Sequence, residues 1–222
     1  MWDFGNQKVV KKNKRNYAKR LAEHWLGKKQ RMSKQAKTLT AEEQRRVLDY
    51  ISTRPHAARN RAMFMIMFLA GLRVGETAAL RVKDVVDENG RVRAEFLLTA
   101  EQTKGGHART VFVSERLRKE LTAYVKATEF ESRDSKLFYT QKKGGEGFTA
   151  NTLTQHFYYL YKRAGIAGAS SHSTRRTFIT NLAEKGISVR VLASLAGHRS
   201  IATTQRYIDV NDEMKRRAVE LV

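Results

Sequence analysis

Histidine, arginine and tyrosine residues recur at short intervals in the C-terminal half of the chain. His172 and Arg175 are three residues apart at the start of a predicted helix, so both side chains project from one helix face. His198 follows Arg175 by 23 residues, and Tyr207 follows nine residues later. Guanidinium groups can neutralise a phosphate and a side-chain hydroxyl can attack it. This set of residue types is therefore suited to phosphodiester chemistry.

Two earlier segments add charged residues beside glycines. Arg73 lies in a predicted turn between two helices, and Glu76 comes three residues later. Lys104 precedes two glycines at the tip of a predicted hairpin. Taken singly, each of these residues is more simply explained as a solvated or half-buried side chain. Only their combination indicates a site.

Other kinds of chemistry fit the composition poorly. The chain has no cysteine, which excludes disulfides, thiolate zinc sites and cysteine nucleophiles. Its 22 acidic residues are scattered, with no HExxH motif, so a metal-dependent nuclease is not expected. The six histidines show no zinc-ligand spacing. The glycine-rich segment 141–147 lacks the phosphate-binding GxxxxGK[ST] pattern. We expect neither metal nor other cofactor.

The charge balance narrows the class of protein. The 222 residues include 43 Lys+Arg against 22 Asp+Glu, a net charge of +21, which excludes an ordinary acidic metabolic enzyme and favours nucleic acid or an anionic membrane surface as partner. An apolar fraction of 41% indicates a folding chain. The longest apolar run, 62–72, is short of the roughly 20 residues that span a bilayer. With no signal-peptide pattern at the start, we expect a soluble, cytoplasmic protein.

The positive charge is concentrated at the N-terminus. Residues 1–37 contain 12 Lys/Arg and two acidic residues, about half of the net charge. This pattern predicts a basic N-terminal arm, extended or partly helical, that is either a solvated linker or a DNA-gripping segment. The remaining residues, 38–222, are predicted to form one domain with a C-terminal tail helix.

The elements of that domain predict an α+β, mainly helical fold. Thr40 and Glu43 form a capping-box pattern ahead of an amphipathic helix. Pro55 predicts the turn into a second helix ending at Gly71, and a third runs from about 74 to 81. Three strands, in 82–86, 91–99 and 108–114, are predicted to form a small antiparallel sheet. Further helices are predicted at 115–127, 150–164, 173–185, 189–196, 201–209 and 212–221.

Four stretches resemble the motifs of one enzyme family in order and spacing. They are AGLRVGE (70–76), TKGGHARTVFV (103–113), HSTRRTF (172–178) and LAGHRSIATTQRYI (195–208). By these motifs the chain resembles the tyrosine recombinases, the phage-integrase family. The resemblance runs from about Thr38 to Ile208. This resemblance implies a catalytic domain that cuts and rejoins double-stranded DNA through a 3′-phosphotyrosine, without metal or ATP.

The resemblance also implies a role for each site residue. Arg73, Lys104, His172, Arg175, His198 and Tyr207 match the family's catalytic positions, and Glu76 matches the acid that supports the first arginine. By this correspondence Tyr207 is the nucleophile. The two arginines and His198 stabilise the phosphate, His172 is a candidate base, and Lys104 protonates the departing 5′-oxygen.

The chain also departs from the family pattern. Most relatives carry a helical DNA-clamping domain of about 100 residues ahead of this domain, whereas 37 residues precede it here, so the chain resembles minimal single-domain members such as the fimbrial-switch invertases. Phe112 replaces a common proline of the third strand. The apolar stripe in the tail, Met214, Ala218, Val219 and Leu221, either packs on its own domain or docks onto a neighbouring protomer.

The resemblance further implies a homodimer or homotetramer on DNA, association with the nucleoid rather than with a membrane, and possible accessory DNA-bending proteins. The outcome would be integration, excision or inversion of DNA. Two alternatives stay open at this point. One is DNA relaxation like that of a type IB topoisomerase, which uses a similar residue set, and the other is a catalytically silent DNA-binding regulatory module.

Overall fold

A computed structural model describes residues 36–140, 146–208 and 212–220, and this part of the chain is α+β and mainly helical, as predicted. The predicted arm lies outside the described residues, apart from its last two positions. In chain order the elements are α1 (Ala41–Ser52), α2 (Ala57–Leu69), α3 (Val74–Ala79), α4 (Val82–Val85), β1 (Glu95–Leu98), β2 (Arg109–Phe112), α5 (Glu115–Lys126), α6 (Ala150–Arg163), α7 (Ser173–Glu184), α8 (Val189–Ala196), α9 (Ile201–Gln205) and α10 (Asp212–Val219).

Helix α2 forms the centre of the core. Its residues from Met63 to Met67 are completely buried, because the sequence MFMIM is apolar on every side and must be covered all round. Helices α1, α5 and α7 pack against it. The rings of Phe64 and Phe68 stack along it with centroids 5.9 Å apart. The end of α2 therefore provides a rigid support for the turn that follows.

The start of α1 confirms the predicted capping box. Thr40 Oγ1 accepts a hydrogen bond from the Glu43 backbone N–H at 3.2 Å, and Glu43 Oε2 accepts one from the Thr40 N–H at 3.1 Å. The preceding residue, Leu39, donates its N–H to Thr177 Oγ1 on α7 at 2.8 Å. The last of these bonds connects the start of the first described helix to α7, the helix that carries Arg175 and directly follows His172.

The prediction of a three-stranded sheet is wrong for its first strand. Within the described residues the sheet has two antiparallel strands, with Glu95 opposite Phe112 and Leu98 opposite Arg109. The segment predicted as the first strand folds instead as α4, followed by a single bridge between Val86 and Val92.

The reason lies in the local polar groups of that segment. Asp84 Oδ2 accepts the Arg81 backbone N–H at 2.9 Å and so caps a helical turn. Val82 and Val85, three residues apart, are both buried, so one helical turn satisfies the apolar pattern. Val82 and Val86 fit one face of a strand, Val82 and Val85 fit one face of a helical turn, and the capping carboxylate favours the helix.

Gly71 makes the sharp turn between α2 and α3. Its φ of 64° lies in the left-handed region, and the Phe178 ring of α7 occupies the place where a side chain would begin. Only glycine fits both conditions, so the predicted helix-ending glycine is confirmed. The turn brings the start of α3 next to α7.

The tail helix α10 is present where it was predicted. Val219 on it is 72% exposed, so the described residues do not cover this part of the predicted apolar stripe. Leu221 and the side chain of Met214 lie outside the described residues. None of the described helices is long and apolar enough to cross a membrane.

Candidate active site

Arg73 and Glu76 are joined at the start of α3. Arg73 precedes the first residue of the helix, and Glu76 is the third residue within it. The Glu76 carboxylate accepts the Arg73 backbone N–H at 2.8 Å and Arg73 Nη1 at 2.8 Å. An acid at the third helical position reaches back to the cap residue, so the local sequence places the carboxylate beside the arginine.

A third residue, Arg109 of β2, completes this pair. Arg109 Nη2 donates to Glu76 Oε2 at 2.8 Å, and Arg109 Nη1 donates to the Leu195 carbonyl at 3.0 Å. The Glu76 side chain is 1% exposed. Burial raises its pKa, but Arg109, the Arg73 N–H and the charge of Arg175 outweigh burial and hold the pKa below its ordinary value. Glu76 is therefore a buried carboxylate shared by two arginines.

Sequence reasoning missed Arg109, although a signal for it existed. The strand alternation places Arg109 on the same face as Val111, which is buried. A charged residue at an inward position of a strand needs a buried partner. Pairing it with the one acid that had already been singled out, Glu76, would have found this contact.

Arg175 lies in the first turn of α7 and is buried, with 3% of its surface exposed. Its Nη1 donates to the Gly71 carbonyl at 2.6 Å, and its Nη2 donates to the Ala196 carbonyl. Burial and the charges of Arg73 and Arg109 lower its pKa to about 9, against the opposing effects of Glu76 and Tyr207. Arg175 therefore stays positively charged at neutral pH, and no carboxylate of the described residues is bonded directly to it.

The C-terminal end of α8 holds all three arginines. The carbonyls of Leu195, Ala196 and Gly197 accept from Arg109, Arg175 and Arg73 respectively, the last at 3.3 Å. These carbonyls are free because the last turn of a helix has no residues beyond it to donate, and the helix dipole is negative there. Gly197 adopts a φ of 62°, which ends the helix and exposes the carbonyls.

His198 follows this helix end and lies against Tyr207. Its Nδ1 bonds Thr204 Oγ1 at 2.8 Å, which leaves Nε2 for a ligand. The His198 and Tyr207 rings stack with centroids 5.6 Å apart and an angle of 20° between planes. Burial, followed by the charges of Arg175, Arg73 and Arg109, lowers the pKa of His198 to about 4. The imidazole is therefore neutral at pH 7.

Tyr207 is held by its backbone just after α9. Thr180 Oγ1 of α7 donates to the Tyr207 carbonyl at 3.2 Å, and the Tyr207 N–H donates to the Thr204 carbonyl at 2.9 Å. The guanidinium of Arg176 lies 5.8 Å from the centre of the Tyr207 ring. The tyrosine is half-buried, and the His198 ring and the Arg176 guanidinium position its ring.

His172 immediately precedes α7 and is exposed at its surface. Burial of part of the ring lowers its pKa, and the positive charges of Arg175, Arg73 and Lys104 lower it further. Three of the predicted site residues are thus close enough to His172 to disfavour its protonation. A neutral imidazole can accept a proton.

A cavity of about 430 Å³ opens among these residues. Arg73, Glu76, Lys104, Arg109 and His198 all line it. Lys104 reaches it from the exposed loop between β1 and β2. His172, Arg175 and Tyr207 do not line this cavity. Tyr207 contacts its lining through the His198 ring, and Arg175 bonds the carbonyl of Ala196, which directly precedes the lining residue Gly197.

The structure thus brings all seven predicted residues into one region. They come from the starts of α3 and α7, the loop between the strands, and the segment that follows α8. In the described parts of the chain, no group of three or more His, Asp or Glu side chains could hold a metal ion. The guanidiniums of this region can supply positive charge to a ligand, and its uncharged imidazole nitrogens can form hydrogen bonds with it.

Comparisons with known proteins agree with the motifs. The model of the phage integrase family matches residues 37–214. Tyrosine recombinase XerA of Pyrococcus furiosus is 30% identical over 186 residues, which cover 83% of this chain and 61% of XerA. XerA of Thermococcus kodakarensis is 33% identical, with coverage of 83% and 62%. The chain therefore spans about three fifths of the length of these relatives.

Solved structures show the same fold. The crystal structure of XerA recombinase aligns with a TM-score of 0.66 and 26% identity, covering 83% of this chain and 64% of that one. The Tn1549 transposon integrase, solved in complex with a circular intermediate DNA, aligns with a TM-score of 0.69 at 20% identity, covering 86% and 67%. With a family model that matches most of the chain and a shared fold, this protein belongs to the phage integrase family, the tyrosine recombinases.

Proposed function

We propose that residues 38–222 form the catalytic domain of a site-specific recombinase that cleaves and rejoins double-stranded DNA through a covalent 3′-phosphotyrosine. The observation that carries this proposal is the cluster of three arginines at the end of α8, with Tyr207 stacked on His198 beside it. Such a cluster suits a group whose negative charge increases during the reaction, as a phosphodiester does when it is attacked.

The proposed reaction assigns a step to each of these groups. The Tyr207 hydroxyl attacks phosphorus, the bond from phosphorus to the 5′-oxygen breaks, and the 3′-phosphate becomes attached to the tyrosine. A free tyrosine has a pKa near 10, so its proton must pass to a base, for which the neutral His172 is suited. Lys104 supplies the proton to the departing 5′-oxygen. Attack by a 5′-hydroxyl of another strand reverses these steps and rejoins the DNA.

The non-bridging oxygens are stabilised by Arg73, Arg175 and His198. Arginine suits this task better than lysine because its planar fork can donate to two oxygens at once. Glu76 and Arg109 do not need to contact the phosphate, since their buried contacts orient Arg73 and the end of α8. The phosphotyrosyl bond conserves the free energy of the broken phosphodiester, so the proposed reaction consumes no ATP.

The assembly and the cellular setting are part of the same proposal. Strand exchange between two sites requires several active sites, and we place a homodimer or homotetramer on DNA, in the nucleoid of the cytoplasm, with DNA-bending accessory proteins as possible helpers. The exposed Val219 on α10 is available for contact with a neighbouring protomer. Residues 1–37 are proposed to grip the duplex through their 12 basic residues.

The test is to capture the covalent intermediate. The full chain is incubated with a library of nicked duplexes of random sequence, and protein-DNA adducts are separated on a denaturing gel and sequenced. We expect an adduct with the wild type and with Tyr158→Phe, a control at a tyrosine that is 53% exposed on α6, and none with Tyr207→Phe. No adduct from the wild type, or an undiminished one from Tyr207→Phe, would overturn the proposal.

A second assay separates recombination from DNA relaxation. A plasmid that carries two copies of the captured sequence is incubated with the protein at increasing concentration. A recombinase yields products with exchanged strands and needs several protomers for each event. Relaxation of supercoils without exchange, at the lowest protein concentrations, would instead identify a topoisomerase activity. Binding without either product would identify a DNA-binding module.

A further inference from the structure

A second cavity, of about 470 Å³, contains none of the predicted site residues. The end of α1, the start of α2, helix α6 and Phe148 enclose it. Its lining includes Arg54, Arg59 and Arg163, and no Asp or Glu is present among its described lining residues. The cavity therefore concentrates positive charge without a carboxylate of its own.

A neighbouring arginine on the same helix is paired, in contrast to these three. Arg61, two residues from Arg59, forms an ion pair with Glu120 at 2.6 Å. Within the described part of the chain, Arg54, Arg59 and Arg163 form no ion pair with a carboxylate. Arg54 and Arg163 instead lie over aromatic rings, 5.6 Å from the centre of Tyr50 and 5.8 Å from that of Tyr159.

Of these three charges, that of Arg59 destabilises the fold most, because the residue is buried, with 7% of its surface exposed. Its Nη1 donates to the Tyr139 carbonyl at 2.8 Å, its Nε and Nη2 donate to Asn60 Oδ1, and the group lies 5.2 Å from the Phe148 ring centre. All of these partners are neutral. A buried guanidinium without a counter-charge is destabilising, and an anion in the cavity would remove that cost.

His156 supplies a second, independent observation. Its Nε2 is buried and has no hydrogen-bond partner among the described residues. Burial and the charges of Arg59 and Arg163 lower its pKa to about 4, so the ring is neutral at pH 7. A buried polar nitrogen without a partner is destabilising, and a ligand oxygen or a bound proton donor would remove that cost.

Backbone strain occurs at the same place. His56, which lines the cavity, is the one residue other than glycine with a positive φ in the described chain, at 59°. Strained backbone of this kind is concentrated at ligand sites. Charge, an unpartnered nitrogen and strain therefore coincide in one cavity.

We propose that the cavity formed by Arg54, Arg59, Arg163 and His156 is a phosphate-binding site, separate from the proposed active site. The guanidiniums would neutralise the phosphate and His156 Nε2 would bond one of its oxygens. The same chemistry can come from a backbone phosphate of bound DNA or from a small phosphate-bearing molecule. The proposal needs no strand cleavage, so it can fail or succeed independently of the recombinase assignment.

The first measurement titrates inorganic phosphate into the full chain and follows the His156 ring signals by NMR. We expect a saturable shift and a higher apparent pKa of His156, because a bound anion favours the protonated ring. The double variant Arg54→Gln/Arg163→Gln should need at least about tenfold more phosphate for the same shift. The control Arg45→Gln/Arg116→Gln removes two charges from other exposed positions and should behave as the wild type.

The second measurement identifies the source of the phosphate. Binding to a duplex of arbitrary sequence is measured across a range of salt concentrations for both double variants. If DNA supplies the phosphate, the log-log slope of the cavity variant is shallower than that of the control by about 0.9 for each phosphate that the two arginines neutralise. Equal slopes together with weakened phosphate binding assign the site to a small phosphate compound. Equal slopes with an unmoved His156 signal, or one that moves equally in both variants, would overturn the proposal.

Discussion

Replacing Glu76 with glutamine tests whether one buried carboxylate holds two arginines of the site. The Glu76 oxygens accept three hydrogen bonds of 2.8 Å, two from Arg73 and one from Arg109. Glutamine keeps the size of the side chain but replaces one acceptor oxygen with an NH₂ group, which then faces a donor. The two guanidiniums also lose the negative charge between them.

The expected loss of stability is large for an isosteric change. Removing one member of a buried ion pair costs about 3–5 kcal/mol, because the remaining charge is left without compensation. The matched control is Glu42→Gln, which breaks the exposed pair between Glu42 and Arg46 on α1. An exposed pair four residues apart contributes about 0.3–0.5 kcal/mol. Urea unfolding of the two variants at pH 7 measures both values.

The pH dependence distinguishes the effect of the charge from a general packing defect. The pKa of Glu76 is held below 4.5, its ordinary value, so its carboxylate stabilises the fold fully above that pH. This stabilisation is lost as the pH falls towards the lower pKa of the folded state. The difference between the wild type and Glu76→Gln should therefore shrink as the pH falls below about 4.5.

Two results would refute this reasoning. One is a loss of stability in Glu76→Gln no larger than that in Glu42→Gln. The other is a difference from the wild type that stays constant as the pH is lowered. Where Glu76→Gln folds, DNA cleavage should also slow by about 100-fold, because Arg73 is no longer oriented by a carboxylate.

Three further outcomes are expected. Gly197→Ala should destabilise the fold by about 1–3 kcal/mol more than Gly186→Ala in urea unfolding, since both have positive φ but only the first places a methyl group 2.5 Å from an arginine side chain. The free energy of unfolding should fall as the pH drops from about 6.5 to about 4. The reason is that His156 and His198 have folded pKa values near 4 and take up protons more readily when unfolded. Replacing both histidines with glutamine should make the free energy of unfolding, measured by urea titration, depend less on pH over this range. Deleting residues 1–37 should make the salt dependence of duplex binding shallower, by about 0.9 in log-log slope for each phosphate that the arm neutralises, and an unchanged slope would leave the arm without a DNA role.

Much of this fold could be predicted because its signals are local. The capping box at Thr40 and the glycines at 71 and 197 each fix a helix end within a few residues of sequence. The family motifs added the long-range information that periodicity lacks, namely which helix starts lie together. The predicted site residues are therefore close in the structure although they come from four separate segments.

The errors and omissions have a different origin. Valines at 82, 85 and 86 fit both a strand and a helical turn, and the choice at α4 depended on one bond to Asp84. Arg109 was missed because its partners, Glu76 and Leu195, are 33 and 86 residues away. The charge surplus around Arg59 was also invisible, because the absence of a carboxylate from a cavity can be seen only when the cavity is assembled.

The end of α8 explains how three arginines can share one region of the structure. The three arginines carry three positive charges. The Glu76 carboxylate compensates one of them, and the negative end of the α8 dipole compensates about one half of another. Both histidines of the site have lowered pKa values and add no charge at neutral pH. Leaving out Lys104, which lines the same cavity, a surplus of about one and a half positive charges remains. A phosphodiester carries one negative charge, and this rises towards two as the tyrosine oxygen adds to phosphorus. In the proposed reaction this residual charge exceeds what a bound phosphodiester needs and is neutralised only as the reaction proceeds, which is the condition for stabilising the transition state more than the ground state.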